Sequence, residues 1–218
     1  MRKLVAEFIG TGFLVAGVVG SGIMAERLST DVGLQLFENA FATAGILLAL
    51  ILALGPVSGA HFNPVVTIAE RARSTISTSE AGAYIASQFA GGIAGVMAAN
   101  VMFDLAAINI SDKDRSGLSL VFSEGLATFG LLLVIYGVVT AGKPTLAAAT
   151  VAGYIGGAYF FTSSTSFANP AVTVARTMSN TFAGINPVNA PGFILAQVIG
   201  AAVGIPLLHW LFANNEVS

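Results

Sequence analysis

Ala60-His61-Phe62-Asn63-Pro64-Val65-Val66-Thr67 is followed, a hundred-odd residues on, by a near copy, Ser166-Phe167-Ala168-Asn169-Pro170-Ala171-Val172-Thr173. Each copy has the makings of a helix start. Asn serves as N-cap, its side-chain oxygen accepting from backbone N–H groups two or three residues on. Pro follows at the first helical position, where the missing N–H has no intrahelical partner to lose. Both copies lie among long apolar runs, so both predict a short helix beginning in the middle of an apolar region. Inside a bilayer such an end is tolerated only where it is buried in protein or lines a water-filled cavity. Two of them in matching positions of two halves point to a transport site.

Composition agrees. The chain is 55% apolar and 9% charged, with a mean hydropathy of +0.83 and 25 glycines. Soluble domains average about 25% charged residues, so the expectation is an integral membrane protein in contact with the lipid bilayer. The net charge of −2 and the lack of a basic patch give no sign of nucleic acid, and the absence of Cys excludes disulfides and thiolate metal sites. The first apolar run follows Arg2-Lys3, as in a signal peptide. It continues to Met24 without a small-residue cleavage site and carries Glu7, so it reads as a retained span.

A span needs roughly 20 mostly apolar residues. Six stretches qualify: Leu4–Met24, Leu36–Leu54, Ala81–Leu105, Leu118–Thr140, Thr145–Phe161 and Gly192–Phe212. The half-helices fall in 55–79 and 162–191. The expected fold is therefore an all-α membrane protein of six transmembrane helices plus two re-entrant half-helices, one channel domain over 1–218. Its halves, about 1–110 and 117–218, repeat. Glu7 and Thr11 of the first span are echoed by Glu124 and Thr128 of the fourth, and Gln88, Gly91 and Gly95 recur as Gln197, Gly200 and Gly204 at one common displacement. Three spans per half force the second half to enter from the opposite side. The repeat is inverted, and the two half-helix N-termini meet near the midplane. An N-terminus on the cytoplasmic side puts Arg2, Lys3, Arg71, Arg73 and Lys143 inside against Arg27, Lys113, Arg115 and Arg176 outside, a slight positive-inside bias.

These features together resemble the aquaporin (major intrinsic protein) family. The likeness runs from Glu7 to about Trp210 and is carried by the paired boxes, the inverted repeat and the early Glu in spans one and four. The first box, Asn63-Pro64-Val65, has Val for the family's usual Ala; the second, Asn169-Pro170-Ala171, fits. The resemblance implies a passive channel without cofactor, a homotetramer with one pore per protomer, and a place in the bacterial plasma membrane with both termini cytoplasmic. It also implies that Glu7 and Glu124 brace the loops leading into the half-helices. Counting from the two Asn residues by the family's spacing puts the constriction at Thr43, Gly157, Ser166 and Val172. Val172 stands where the family usually has Arg, and Thr43 and Gly157 where water-selective members carry an aromatic and a His.

A filter of small residues suits small neutral solutes: glycerol, urea, or metalloid hydroxides such as arsenite, with water as a further permeant. Some bacterial members without the filter Arg are linked with arsenic resistance, a likeness only. The alternative is a water-selective pore, which the small filter disfavours; an ion or anion pore is a further alternative. No hydrolase or metal motif supports an enzyme. Arg176 lies one turn beyond Val172, and two readings stand beside each other. Its side chain leans back towards the pore and restores part of the missing charge at the outer mouth, or, as is commoner, it snorkels to the outer interface. His61 is expected to be a hydrogen-bonded loop residue, with pore gating near its usual pKa of about 6.5 as the other reading. His209 beside Trp210 reads as interfacial. The paired glycines permit close helix approach, within or between protomers.

Overall fold

The computed structural model describes residues 1–213. The last residues of the second repeat and the C-terminus, expected on the cytoplasmic side, lie outside them. The described chain forms eight α-helices: α1 Arg2–Leu28, α2 Val32–Ser58, α3 Pro64–Ala72, α4 Thr78–Met102, α5 Leu118–Thr140, α6 Ala147–Phe161, α7 Pro170–Arg176 and α8 Ala190–Phe212, with a 3-10 turn, Pro144–Leu146, leading into α6. Five of them (α1, α2, α4, α5 and α8) are long and apolar enough to cross a membrane. The sixth, α6, has 15 residues, about 22 Å of helix at 1.5 Å per residue. It is the Gly-rich segment of the sequence, and its preceding Pro144 confines the lead-in to a 3-10 turn.

Packing repeats with the sequence. α1 lies against α4 and α2, α5 lies against α8 and α6, and α2 against α6 joins the halves. The paired glycines make the first contacts of each kind. A Cβ on Gly91 or Gly95 would run into the carbonyl oxygens of Phe8 or Gly12 on α1, and one on Gly200 into that of Gly125 on α5. The small-residue stripes therefore serve helix pairs inside one protomer.

The second helix runs past its expected end at Leu54 to Ser58, with Pro56 in its last turn, and stops where Gly59 turns left-handed at φ 87°. Beyond it the chain re-enters as α3, whose N-cap Asn63 accepts from Val65 N–H at 3.1 Å. The second copy behaves alike: Asn169 accepts from Ala171 and Val172 N–H at 3.0 and 3.2 Å. Both caps were readable from Asn-Pro alone. The segments 103–117 and 177–189 close over the C-terminal end of α7, joined by Asn109 N–H to Met178 O (3.0 Å) and Ser111 N–H to Thr177 O (2.9 Å).

Candidate functional site

The loops entering the half-helices are strained in the same way. Ala60 and Phe62 have φ of 52° and 48°, and their repeat partners Ser166 and Ala168 have φ of 52° and 48°. A left-handed conformation costs a non-glycine residue about 1–2 kcal/mol, so something must hold these loops. In the first half it is Glu7, fully buried. Its carboxylate accepts from Ser58 Oγ (2.7 Å), His61 N–H (3.0 Å), Phe62 N–H (2.8 Å) and Gln88 Nε2 (2.7 Å). In the second half Glu124 accepts from Phe167 N–H (2.9 Å), Ala168 N–H (2.9 Å) and Gln197 Nε2 (2.6 Å). Each Gln also donates to the Thr one turn into the half-helix, Thr67 or Thr173, at 2.9 Å.

The loops then lock to each other across the repeat. Asn63 Nδ2 donates to Ala168 O and Asn169 Nδ2 to Phe62 O, both at 2.8 Å. Each amide carries two N–H groups. With its oxygen spent on the cap and one N–H on the opposite loop, each Asn keeps one N–H for the lumen.

That lumen is a cavity of about 640 Å³ lined by both Asn residues. Glu70 and Arg73 border it at the α3 end, and Phe167 and Arg176 at the α7 end. Between them the wall is largely apolar, with Leu47, Ile51, Leu131, Ile135, Val151 and Ile155. Thr43, Ser166 and Val172 line the cavity. Gly157 does not: it is exposed on the outside of α6. The cavity-facing stripe of α6 is Ala148, Val151, Ile155 and Tyr159, at helical spacings of three and four. Gly157, two residues from both Ile155 and Tyr159, falls on the other side. Tyr159 stands in the wall instead, its hydroxyl 3.0 Å from Thr43 Oγ1. Sequence reasoning missed Tyr159 because a counted spacing replaced the helix's own periodicity, which could have found it.

Arg176 corrects the snorkelling reading. It is 2% exposed, its Cζ lies 3.4 Å from the Phe167 ring centroid, and its Nε donates to Ala183 O. Segment 177–189 folds back to offer Ala183 O, and the guanidinium stays buried on the cavity wall. Arg115, from the other covering segment, also packs over Phe167, with Cζ at 5.1 Å, and gives its N–H groups to the carbonyls of Gly184 (2.8 Å), Phe182 (3.2 Å) and Ser164 (3.4 Å). His61 lines the cavity on the α3 side, with Nδ1 3.0 Å from Thr67 Oγ1 and its ring 5.2 Å from that of Tyr84. His209 packs edge-on to Tyr136 at 5.8 Å, next to the exposed Trp210. Among the described residues no group of His, Asp or Glu is placed to hold a metal.

Two half-helices meeting end to end around a shared polar point, inside a bundle of apolar helices, make a membrane channel. A model described as Major intrinsic protein matches residues 1–168, and the chain belongs to that family. It is 46% identical over 210 residues to the aquaglyceroporin AqpS of Rhizobium meliloti (strain 1021), covering 96% of this chain and 90% of that protein. Aquaporin NIP6-1 of Arabidopsis thaliana is 30% identical over 209 residues, 93% of this chain and 66% of that protein. The X-ray structure of the aquaglyceroporin from Plasmodium falciparum has the same fold, with a TM-score of 0.70 at 20% identity over 96% of this chain and 98% of that one. The protein is thus an integral membrane channel, and its family is not one of enzymes.

Proposed function

We propose that this channel passes small uncharged solutes, glycerol, urea and metalloid hydroxides such as arsenite among them, down their gradients and without a coupling ion. The observation that carries this reading is the wall at the α7 end. Thr43, Tyr159, Ser166 and Val172 line it, two of them joined hydroxyl to hydroxyl, and the fixed cation is set one turn back, at Arg176. A solute with several hydroxyls meets the hydroxyls of Thr43 and Tyr159 together with the apolar Val172 and Phe167 on the cavity wall. At the centre the free N–H of Asn63 and of Asn169 donate to such a solute and present a positive potential to cations. The printed name of the Rhizobium relative, an aquaglyceroporin, supports the same class. In this reading Glu7 and Glu124 are scaffolding, and His61 is a wall residue tied to Thr67. Arg176 supplies the positive charge of the outer mouth. The channel sits in a bacterial plasma membrane with its termini cytoplasmic, as a homotetramer.

The test is stopped-flow light scattering on proteoliposomes with water, glycerol and arsenite gradients in parallel. Solute uptake well above the empty-liposome rate, cut about tenfold or more by Val172→Arg, is the expected result. Fast water flux with solute flux at the empty-liposome level would assign the chain to the water-selective alternative.

A further inference from the structure

The α7 mouth holds more positive charge than its neighbours neutralise. Among the described residues the ion pairs are Lys3–Glu80 and Arg73–Glu70, neither of them here. Lys113 Nζ donates to Phe182 O at 2.7 Å. Arg115 leans on three carbonyls and Arg176 on that of Ala183. The nearby carboxylates form no ion pair with these cations: Glu26 accepts from Phe182 N–H at 2.9 Å, and Glu124 accepts from the loop and Gln197.

Two polar groups here lack protein partners. The Nη groups of Arg176 make no hydrogen bond within the described residues, although the residue is 2% exposed and lines the cavity. Ser166 Oγ, on a residue 3% exposed that lines the same cavity, has none either. A buried guanidinium without a counter-charge is costly in a membrane protein. Its planar fork of N–H donors matches the geometry of an oxyanion, and the Ser166 hydroxyl, covered in this structure, adds one more donor when it turns to the cavity.

We propose that the α7 mouth is a binding site for a small oxyanion, held by the Arg176 fork and Ser166 Oγ, which occupies the filter and blocks the channel without crossing it. Binding follows from the unpaired charge. Blocking follows from what lies beyond. Past the filter an anion finds one N–H from each Asn, and then a wall of Leu47, Ile51, Leu131 and Ile135, where a charge has nothing to replace its water. The site exists at one mouth only. At the repeat position of Arg176 the other mouth carries Glu70, already paired with Arg73 at 2.8 Å. This site is additional to the solute reading and does not depend on which solute passes.

The probe is sodium sulfate, against sodium chloride at matched ionic strength. Calorimetry on the purified protein in detergent is expected to show saturable sulfate binding, weakened at least tenfold in Arg176→Gln and a few-fold in Ser166→Ala, with Arg176→Lys between. In proteoliposomes sulfate slows solute flux through the wild type and not through Arg176→Gln, while radiolabelled sulfate stays at the empty-liposome level. No saturable binding to the wild type overturns the proposal, as does binding that Arg176→Gln and Ser166→Ala leave unchanged. Channel-dependent sulfate uptake overturns the block. If Arg176→Gln does not fold, as judged by gel filtration, Ser166→Ala decides. If no solute flux is seen at all, the solute reading fails while calorimetry still judges the anion site.

Discussion

Val172 and Arg176 share a face of α7, and their order along it sets what the filter can be. An Arg at the first turn would project into the lumen; the Arg present sits one turn back, pinned flat on Phe167. Val172→Arg therefore places a second guanidinium near the first, narrowing the aperture and adding like-charge repulsion. Loss of solute flux should exceed loss of water flux, measured as their ratio in stopped-flow assays. Tyr159 gives a second test. Tyr159→Phe removes the hydroxyl that meets Thr43 at 3.0 Å, freeing Thr43 to turn into the lumen. It is expected to change the glycerol-to-water flux ratio severalfold, whereas Gly157→Ala, on the outside of α6, leaves the ratio unchanged. A Gly157→Ala effect as large as that of Tyr159→Phe would return the filter to the counted position. These residues also mark the limit of the sequence. Asn63 and Asn169 were legible because capping chemistry is local, two or three residues long. The fate of Arg176 was not, since it depends on segment 177–189 folding back to offer Ala183 O.

At the scale of elements, each half-helix is a strained loop held by a carboxylate on a neighbouring helix. Glu124, fully buried, accepts three donors. Glu124→Gln turns one acceptor into a donor facing a backbone N–H or Gln197. Hydrogen bonds to a charged group are worth about 1.5–3 kcal/mol each, so a loss of about 3 kcal/mol is expected, seen as a lower midpoint in thermal unfolding followed by gel filtration. Glu124→Asp, with its carboxylate kept but one methylene short, should fall between. The helix seams make a second prediction. A methyl on Gly95 meets the backbone of Gly12, which cannot swing aside, whereas at Gly204 the nearest atom is Phe129 Cδ2 at 3.2 Å, part of a side chain that can. Overpacking costs about 1–3 kcal/mol. Gly95→Ala should lower the unfolding midpoint by several degrees and Gly204→Ala by clearly less. The recurrence of the Glu pair and of the glycines could be read from spacing, because an inverted repeat writes each contact twice; the bracing role of the Glu pair is what the family resemblance implies. Which helices the glycines join could not, since a small-residue stripe looks the same at a protomer interface as inside one.

Across the whole molecule the inverted repeat preserves shape while breaking charge. The two boxes, loops and carboxylates superimpose in role, yet one mouth presents the neutralised pair Glu70–Arg73 and the other presents Arg176, Arg115 and Lys113 leaning on carbonyls. Among these cations Lys113, half-buried in the covering segment outside the spans, is an amine that can give up its proton in an accessible range, whereas a guanidinium keeps its charge in proteins. Burial, with the charges of Arg115 and Arg176 adding to it and that of Glu26 opposing, brings it down to about 8 from the usual 10.5. Because the folded value is the lower one, the unfolded chain holds a proton that the folded chain lacks between about pH 8 and 10.5. Stability therefore rises with pH across that window, and the penalty of the charged lysine is fully present below it. A bound oxyanion acts oppositely, favouring the protonated lysine. Sulfate affinity should thus fall between pH 7 and pH 9 by about three- to tenfold, roughly 0.7–1.4 kcal/mol, as Lys113 loses its charge while the two arginines keep theirs. In Lys113→Gln the affinity is expected to be lower at pH 7 and flat over the same range. Calorimetric titrations of both proteins at the two pH values decide it: a slope that survives in Lys113→Gln would mean that another group at the mouth does the titrating.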